Sequence, residues 1–142
     1  MSLSKDNVSV NPAGVEMLIV DDSKYIQHCL SEILLEIEGI KSIEFAESPQ
    51  GAQKSVEAHD FDVMVIDIHL SQGTGFDVLK MLKDRGVDCL LIVLTNYPAT
   101  AYRDKALELG ADFFFDKFHE FDKVVEVVRH YIQTHSLYGN NN

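Results

Sequence analysis

Basic residues are scarce in this 142-residue chain: 12 Lys and Arg stand against 23 Asp and Glu, for a formal charge of −11. That balance argues against binding nucleic acid or an anionic membrane by bulk electrostatics. Cysteine is scarcer still. Cys29 and Cys89 show no Cys-x-x-Cys spacing, so they give no basis for a disulfide framework and read as free, buried thiols in a reducing compartment. No apolar stretch approaches the length of a membrane span, and no basic segment precedes an apolar one at the N-terminus. No internal repeat is visible. A cytoplasmic location with no membrane partner is the expectation.

With 46% apolar and 25% charged residues, the composition suits one globular domain with a real core, and the length is too short for two ordinary ones. Residues 1–14 are polar, carry Pro12 and Gly14 and lack periodicity, so they read as a flexible leader. Residues 133–142 end in Gly-Asn-Asn-Asn and read as a flexible tail or linker stub. The domain is expected over 15–132.

Within it, strand and helix signals alternate. Continuous apolar runs at about Glu16–Val20, Val63–Asp67, Leu90–Thr95 and Phe113–Asp116 suit strands covered on both faces, and the alternating Ile40–Ala46 suits an edge strand. Helical spacing follows each. Ile26, Cys29, Leu30, Ile33, Leu34 and Ile37 mark a helix capped by Ser23 or Asp22 and stopped at Gly39. Ser48-Pro49 opens a second helix that ends near His59. Ser71 to Gly75 reads as a loop before a short helix marked by Phe76, Leu79, Met81 and Leu82. Pro98 is expected to start a fourth helix, stopped by Gly110, and Phe121 to Ile132 forms the last. Five strands alternating with five helices imply right-handed crossovers and a parallel sheet wrapped on both faces.

In such sheets ligands bind at the carboxyl ends of the strands. Those ends carry Asp21-Asp22, Asp67, Thr95 and Lys117. Crowded carboxylates repel unless a cation sits among them, and the hard oxygens of Asp21, Asp22 and Asp67, with the backbone carbonyl of His69, suit Mg²⁺. Asp67 is placed at an exposed strand end as a carboxylate nucleophile. Lys117 would hold a phosphoryl oxygen as a point charge, and the Thr95 hydroxyl would donate to another once the group is present. Each position alone has a bland reading as a helix cap, a polar terminus or a solvated flank. Their joint occurrence on separate strands, all at one end, is the signal. His28, His59, His119, His130 and His135 form no ligand grouping and read as surface residues.

The segments "LIVDDS", "VMVIDIHL", "GTGFDVL", "LIVLTN" and "GADFFFDK" resemble the acidic-pair, phosphoacceptor, switch-threonine and lysine strands of response regulator receiver domains, across about Met17 to Ile132. The resemblance implies an α/β fold, a doubly wound five-stranded parallel sheet of flavodoxin-like (βα)5 type with strand order 2-1-3-4-5. It implies that Asp67 accepts phosphate from a histidine kinase or histidine phosphotransfer protein, with Mg²⁺ held by Asp21 and Asp22, Lys117 on the phosphoryl group, and Thr95 and Phe114 as the switch pair. It implies no enzyme beyond catalysis of its own aspartyl phosphorylation and dephosphorylation. Output would pass through the helix from about Thr100 to Leu109, the fifth strand and the last helix, to a downstream protein or a second copy, with no direct nucleic-acid binding.

Three positions depart from the family pattern: Phe118 in place of the Pro after the lysine, Ser71 in place of a loop Pro, and Asn96 in place of a small residue. The bond between Lys117 and Phe118 is left open between trans and a strained cis form. His69 and Tyr97 fall at the pocket rim, where they would bear on attack by water. Two other readings stand beside the receiver: an interaction domain that takes no phosphate, and the receiver piece of a longer regulator. An aspartate-nucleophile phosphatase is disfavoured, because His69 occupies the position of its second Asp.

Overall fold

A computed structural model of the chain describes residues 14–135; the expected leader up to residue 13 and the expected tail from 136 lie outside the described residues. The five main strands are β1 (Val15–Val20), β2 (Ile40–Ala46), β3 (Val63–Ile66), β4 (Leu90–Thr95) and β5 (Phe113–Asp116). All pair in parallel, in the order β2-β1-β3-β4-β5, as expected. The helices between and after them are α1 (Lys24–Leu34), α2 (Pro49–Ala58), α3 (Gly75–Asp84), α4 (Thr100–Glu108) and α5 (Phe121–His135).

The sheet is buried on both faces because its central strands are apolar throughout. One layer joins Leu18, Val20, Met64, Ile66, Val93 and Phe114 to Ala52 of α2, Val78 and Leu79 of α3, and Ala106 of α4. The other joins Met17, Ile19, Val65, Ile92 and Leu94 to Leu30 and Leu34 of α1 and to Val124 and Val128 of α5. Each fully buried aliphatic side chain contributes about 1.5–3 kcal/mol by leaving water. The alternation along a strand sends neighbours to opposite layers.

Local chemistry sets most boundaries. Ser23, not Asp22, caps α1 by accepting the Ile26 N–H, Ser48 caps α2 before Pro49, and Thr74 with Asp77 forms a capping box on α3. Five expectations are corrected. Helix α1 ends at Leu34, and Gly39, with φ +111°, lies in the turn before β2. Past Leu35 the N–H groups of Glu36 and Ile37 bond to the Ile33 and Leu34 carbonyls, three residues back, so the chain tightens out of the α-helix while Leu34 and Ile37 both stay in the core. Helix α4 starts at Thr100 rather than Pro98, since Ala99 is still extended (φ −67°, ψ 143°) and offers no capping side chain. The stretch expected as a loop holds a two-stranded antiparallel ladder, His69–Leu70 against Gly73–Thr74. The last helix runs to His135, three residues into the expected tail. Both thiols are free, but half-buried rather than buried.

Candidate functional site

Backbone hydrogen bonds carry the sheet one step past the strand ends and align the polar residues in a row. The Asp21 N–H donates to the Ala46 carbonyl at 2.9 Å, the Asp67 N–H to Val20 at 2.9 Å, and the Lys117 N–H to Thr95 at 2.9 Å. Asp21, Asp67, Thr95 and Lys117 are all buried, whereas Asp22 is exposed. Asp67 was expected to be exposed, yet its residue retains only 7% exposure. The reason is that its carboxylate is covered by its own neighbours: Oδ1 accepts the Ile68 N–H at 2.7 Å, and Oδ2 accepts from Lys117 Nζ at 2.9 Å.

Lys117 Nζ also reaches Asp21 Oδ2 at 2.8 Å. One ammonium therefore bridges two carboxylates taken from different strands. Burial alone would depress the lysine, but hydrogen bonds to Asp21 and Asp67 outweigh it and hold its pKa above the ordinary value. Burial acts the opposite way on Asp21, lifting its pKa above the usual carboxylate value although Lys117 and the Ser23 N–H both stabilise its anion. Gln27 Nε2 donates to the Asp21 carbonyl at 2.7 Å, fixing the turn from β1 into α1. Asp22 Oδ2 accepts from the Ser71 hydroxyl at 3.1 Å.

The three aspartates each bring a carboxylate oxygen within 4.8 Å of the others. Three potential anions against one ammonium leave negative charge that a further cation would neutralise, and an all-oxygen donor set fits Mg²⁺ rather than a softer metal.

The remaining predicted positions fall around this centre. The Thr95 hydroxyl accepts the Tyr97 N–H at 3.2 Å, and by strand alternation its side chain shares the sheet face that holds Phe114. Phe114 is buried, while Phe113 and Phe115 stack on one another across the strand, centroids 5.7 Å apart. His69 and Tyr97 meet ring to ring at 4.0 Å on the rim. Asn96 is exposed, and Phe118 projects with 76% exposure. No cis peptide bond occurs among the described residues, so Lys117 is delivered inward through a trans bond. Asp116 organises that turn: its side chain accepts the Phe118 N–H at 2.9 Å and pairs with His119 at 2.7 Å. His28, His59, His119, His130 and His135 are exposed.

Two contributors were not singled out from the sequence. Gly75, the first residue of α3, lies so close to the Asp67 backbone that a Cβ there would overlap the Asp67 carbonyl oxygen. Its N–H donates to the Ile68 carbonyl at 2.7 Å, so the helix start is pressed against the peptide that follows Asp67. Ser71 was noted only as a departure, without its bond to Asp22. A glycine directly before the apolar helical stripe that begins at Phe76 is the one hint of the first in the sequence.

Comparison with known proteins places this arrangement in context. A family model described as "Response regulator receiver domain" matches residues 17–129. The photosynthetic apparatus regulatory protein RegA of Cereibacter sphaeroides is 30% identical over 115 residues, covering 81% of this chain and 61% of RegA. The transcriptional regulatory protein CusR of Escherichia coli is 28% identical, over 81% of this chain and 50% of CusR. The chain thus spans about half to three-fifths of these curated relatives. Among solved structures, the response regulator TrrA of Thermotoga maritima in complex with Mg²⁺ and BeF superposes with a TM-score of 0.71 at 30% identity, covering 82% of this chain and 97% of that one. A CheY-like receiver domain protein of Methanospirillum hungatei, at 24% identity, shares the fold with a TM-score of 0.76 over 87% of this chain and 97% of its own.

Proposed function

Because the chain belongs to the response regulator receiver domain family, we propose that it is a phosphorylation-dependent signalling switch in which Asp67 accepts a phosphoryl group from a histidine kinase or histidine phosphotransfer protein. The observation that carries this reading is the single ammonium of Lys117 held between Asp67 and Asp21, 2.9 and 2.8 Å away, beside a third carboxylate. Such a lysine is already placed to meet an oxygen of a group arriving on Asp67.

Asp67 would attack phosphorus with one carboxylate oxygen as the bond from phosphorus to the donor's imidazole nitrogen breaks, and the electron pair leaves with the imidazole. Asp21, Asp22, Asp67 and the His69 backbone carbonyl would hold Mg²⁺, which when bound neutralises charge on the transferring group. Lys117 would exchange its Asp67 contact for a phosphoryl oxygen. The Thr95 hydroxyl accepts from the Tyr97 N–H and would turn its own hydrogen toward the phosphoryl group, and Phe114 would follow it within the same layer. The face made by α4, β5 and α5 would then change, to engage a downstream protein or a second copy. Helix α4 suits such a role, because among its residues only Ala106 is buried and its start lacks a side-chain cap. A cytoplasmic setting is part of the same reading; no helix among the described residues is long and apolar enough to cross a membrane.

The test is intact-mass analysis after incubation with Mg²⁺ and acetyl phosphate, with and without EDTA, beside Asp67→Asn. A phosphoryl adduct on the wild type alone, dependent on Mg²⁺, is expected. No adduct under any of these conditions favours the interaction domain that takes no phosphate.

A further inference from the structure

Ser71 replaces a residue type that cannot donate a hydrogen bond, and its hydroxyl reaches across the site to Asp22 Oδ2 at 3.1 Å. We propose that Ser71 is a positioning residue for the Mg²⁺ site: it orients the one solvent-exposed carboxylate of the acidic trio. The inference rests on the reading of that trio as a Mg²⁺ site.

Asp22 needs such a partner more than its neighbours do. Asp21 is pinned by Lys117 and by the Ser23 N–H, and Asp67 by Lys117 and the Ile68 N–H. Asp22 is exposed, and an exposed side chain samples several rotamers whose loss opposes metal binding. A hydroxyl that donates to Oδ2 leaves Oδ1 free to face a cation and lowers that ordering cost in advance.

The loop that presents Ser71 is itself held. Ser71 and Gln72 form the two-residue tip of the ladder that pairs Leu70 with Gly73. Gln72 adopts φ +61°, a left-handed conformation that costs a non-glycine residue about 1–2 kcal/mol. Gly73 is packed so tightly on α2 that a Cβ would come within 2.6 Å of Pro49 Cγ. Directly after it, the Thr74 and Asp77 capping box fixes the ladder to α3. Ser71 is thus fastened on the loop that leaves the nucleophile's strand, and its bond to Asp22 ties that loop to the turn after β1. A proline at position 71 would keep the loop and lose the tie.

The experiment is a Mg²⁺ titration of the full chain, unphosphorylated, followed by amide chemical shifts, for the wild type, Ser71→Ala and Ser71→Thr, with thermal melts in EDTA as control. The Ala variant is expected to bind Mg²⁺ roughly three- to tenfold more weakly, with an unchanged melt, while Thr keeps a hydroxyl and restores most of the affinity. Equal affinity in wild type and Ser71→Ala overturns the positioning role while leaving the Mg²⁺ site intact. Weaker binding in Ser71→Ala accompanied by an equally lowered melting temperature also overturns it, since the loop fold rather than the bond would be responsible. No binding by the wild type overturns the underlying site and this inference with it.

Discussion

Lys117 Nζ lies 2.9 Å from Asp67 Oδ2 and 2.8 Å from Asp21 Oδ2. The ammonium therefore offsets charge on both carboxylates at once. Among the described residues it is the one cation within salt-bridge distance of the two buried carboxylates. Removing it leaves two buried carboxylates without their shared counter-ion. Lys117→Met is expected to lower stability by roughly 3–5 kcal/mol in EDTA. Millimolar Mg²⁺ should recover part of that loss, because a cation can take over the neutralisation. Denaturant melts with and without Mg²⁺ check this; a variant as stable as wild type in EDTA would show that the bridge contributes nothing.

Gly75 sets how closely α3 approaches Asp67. A methyl group at this position meets the Asp67 carbonyl oxygen and the Ile68 backbone, neither of which is a flexible side-chain end. Gly75→Ala is expected to cost about 1–3 kcal/mol and to slow phosphorylation by acetyl phosphate, because the Asp67 peptide must shift. Stability and phosphorylation rate that both match wild type would show that the helix start moves instead.

Thr95 separates phosphorylation from its consequence. Thr95→Val keeps the shape of a fully buried side chain and removes its hydroxyl. Phosphorylation of Asp67 is expected to persist, while the change in amide exchange over α4, β5 and α5 is lost. An undiminished exchange response in the variant would remove Thr95 from the switch.

Asp62 gives a pH signature away from the site. Its side chain accepts the Glu16 N–H at 2.9 Å. Partial burial raises its pKa above the ordinary 3.8, and the charges of Glu16 and Asp60 push the same way. A carboxyl whose folded pKa is raised supplies stability that is complete below the unfolded pKa and is lost as pH rises through the folded value. Asp62→Asn retains an acceptor oxygen without the charge. It should therefore melt higher at pH 7, by about 2 °C for a gain of ~0.5 kcal/mol, and show no advantage near pH 3. A gain of the same size at both values would rule out titration of this carboxyl as the cause.

Much of this was legible in the sequence, for identifiable reasons. The strands announce themselves because each central one is an unbroken apolar run closed by a polar residue, as in Val63 to Ile66 before Asp67. Parallel order follows from the helices between them, so the convergence of Asp21, Asp67, Thr95 and Lys117 could be anticipated from topology alone. What escaped was set by short-range backbone geometry. Pro98 is expected to open α4, but a proline fixes only its own φ and leaves the next residue able to stay extended. Here Tyr97, like other residues before proline, is biased toward extended backbone, and Ala99 remains extended as well. The His69–Thr74 ladder has two residues per strand, too few to leave an alternation. The overlap between a Gly75 side chain and the Asp67 carbonyl is a contact through space that no periodicity encodes. The Lys117 bridge to Asp21 likewise joins residues from separate strand ends, a contact that no run or spacing of residues marks.

The decisive measurement is chemical mapping of the phosphorylated residue. The protein is phosphorylated with acetyl phosphate and Mg²⁺, the acyl phosphate is reduced with labelled borohydride, and the peptides are sequenced. Label on the peptide carrying Asp67, at Asp67 itself and absent from Asp67→Asn, is the expected result. Label on Asp21, Asp22 or any other residue, or none despite a phosphoryl adduct by mass, contradicts Asp67 as the acceptor.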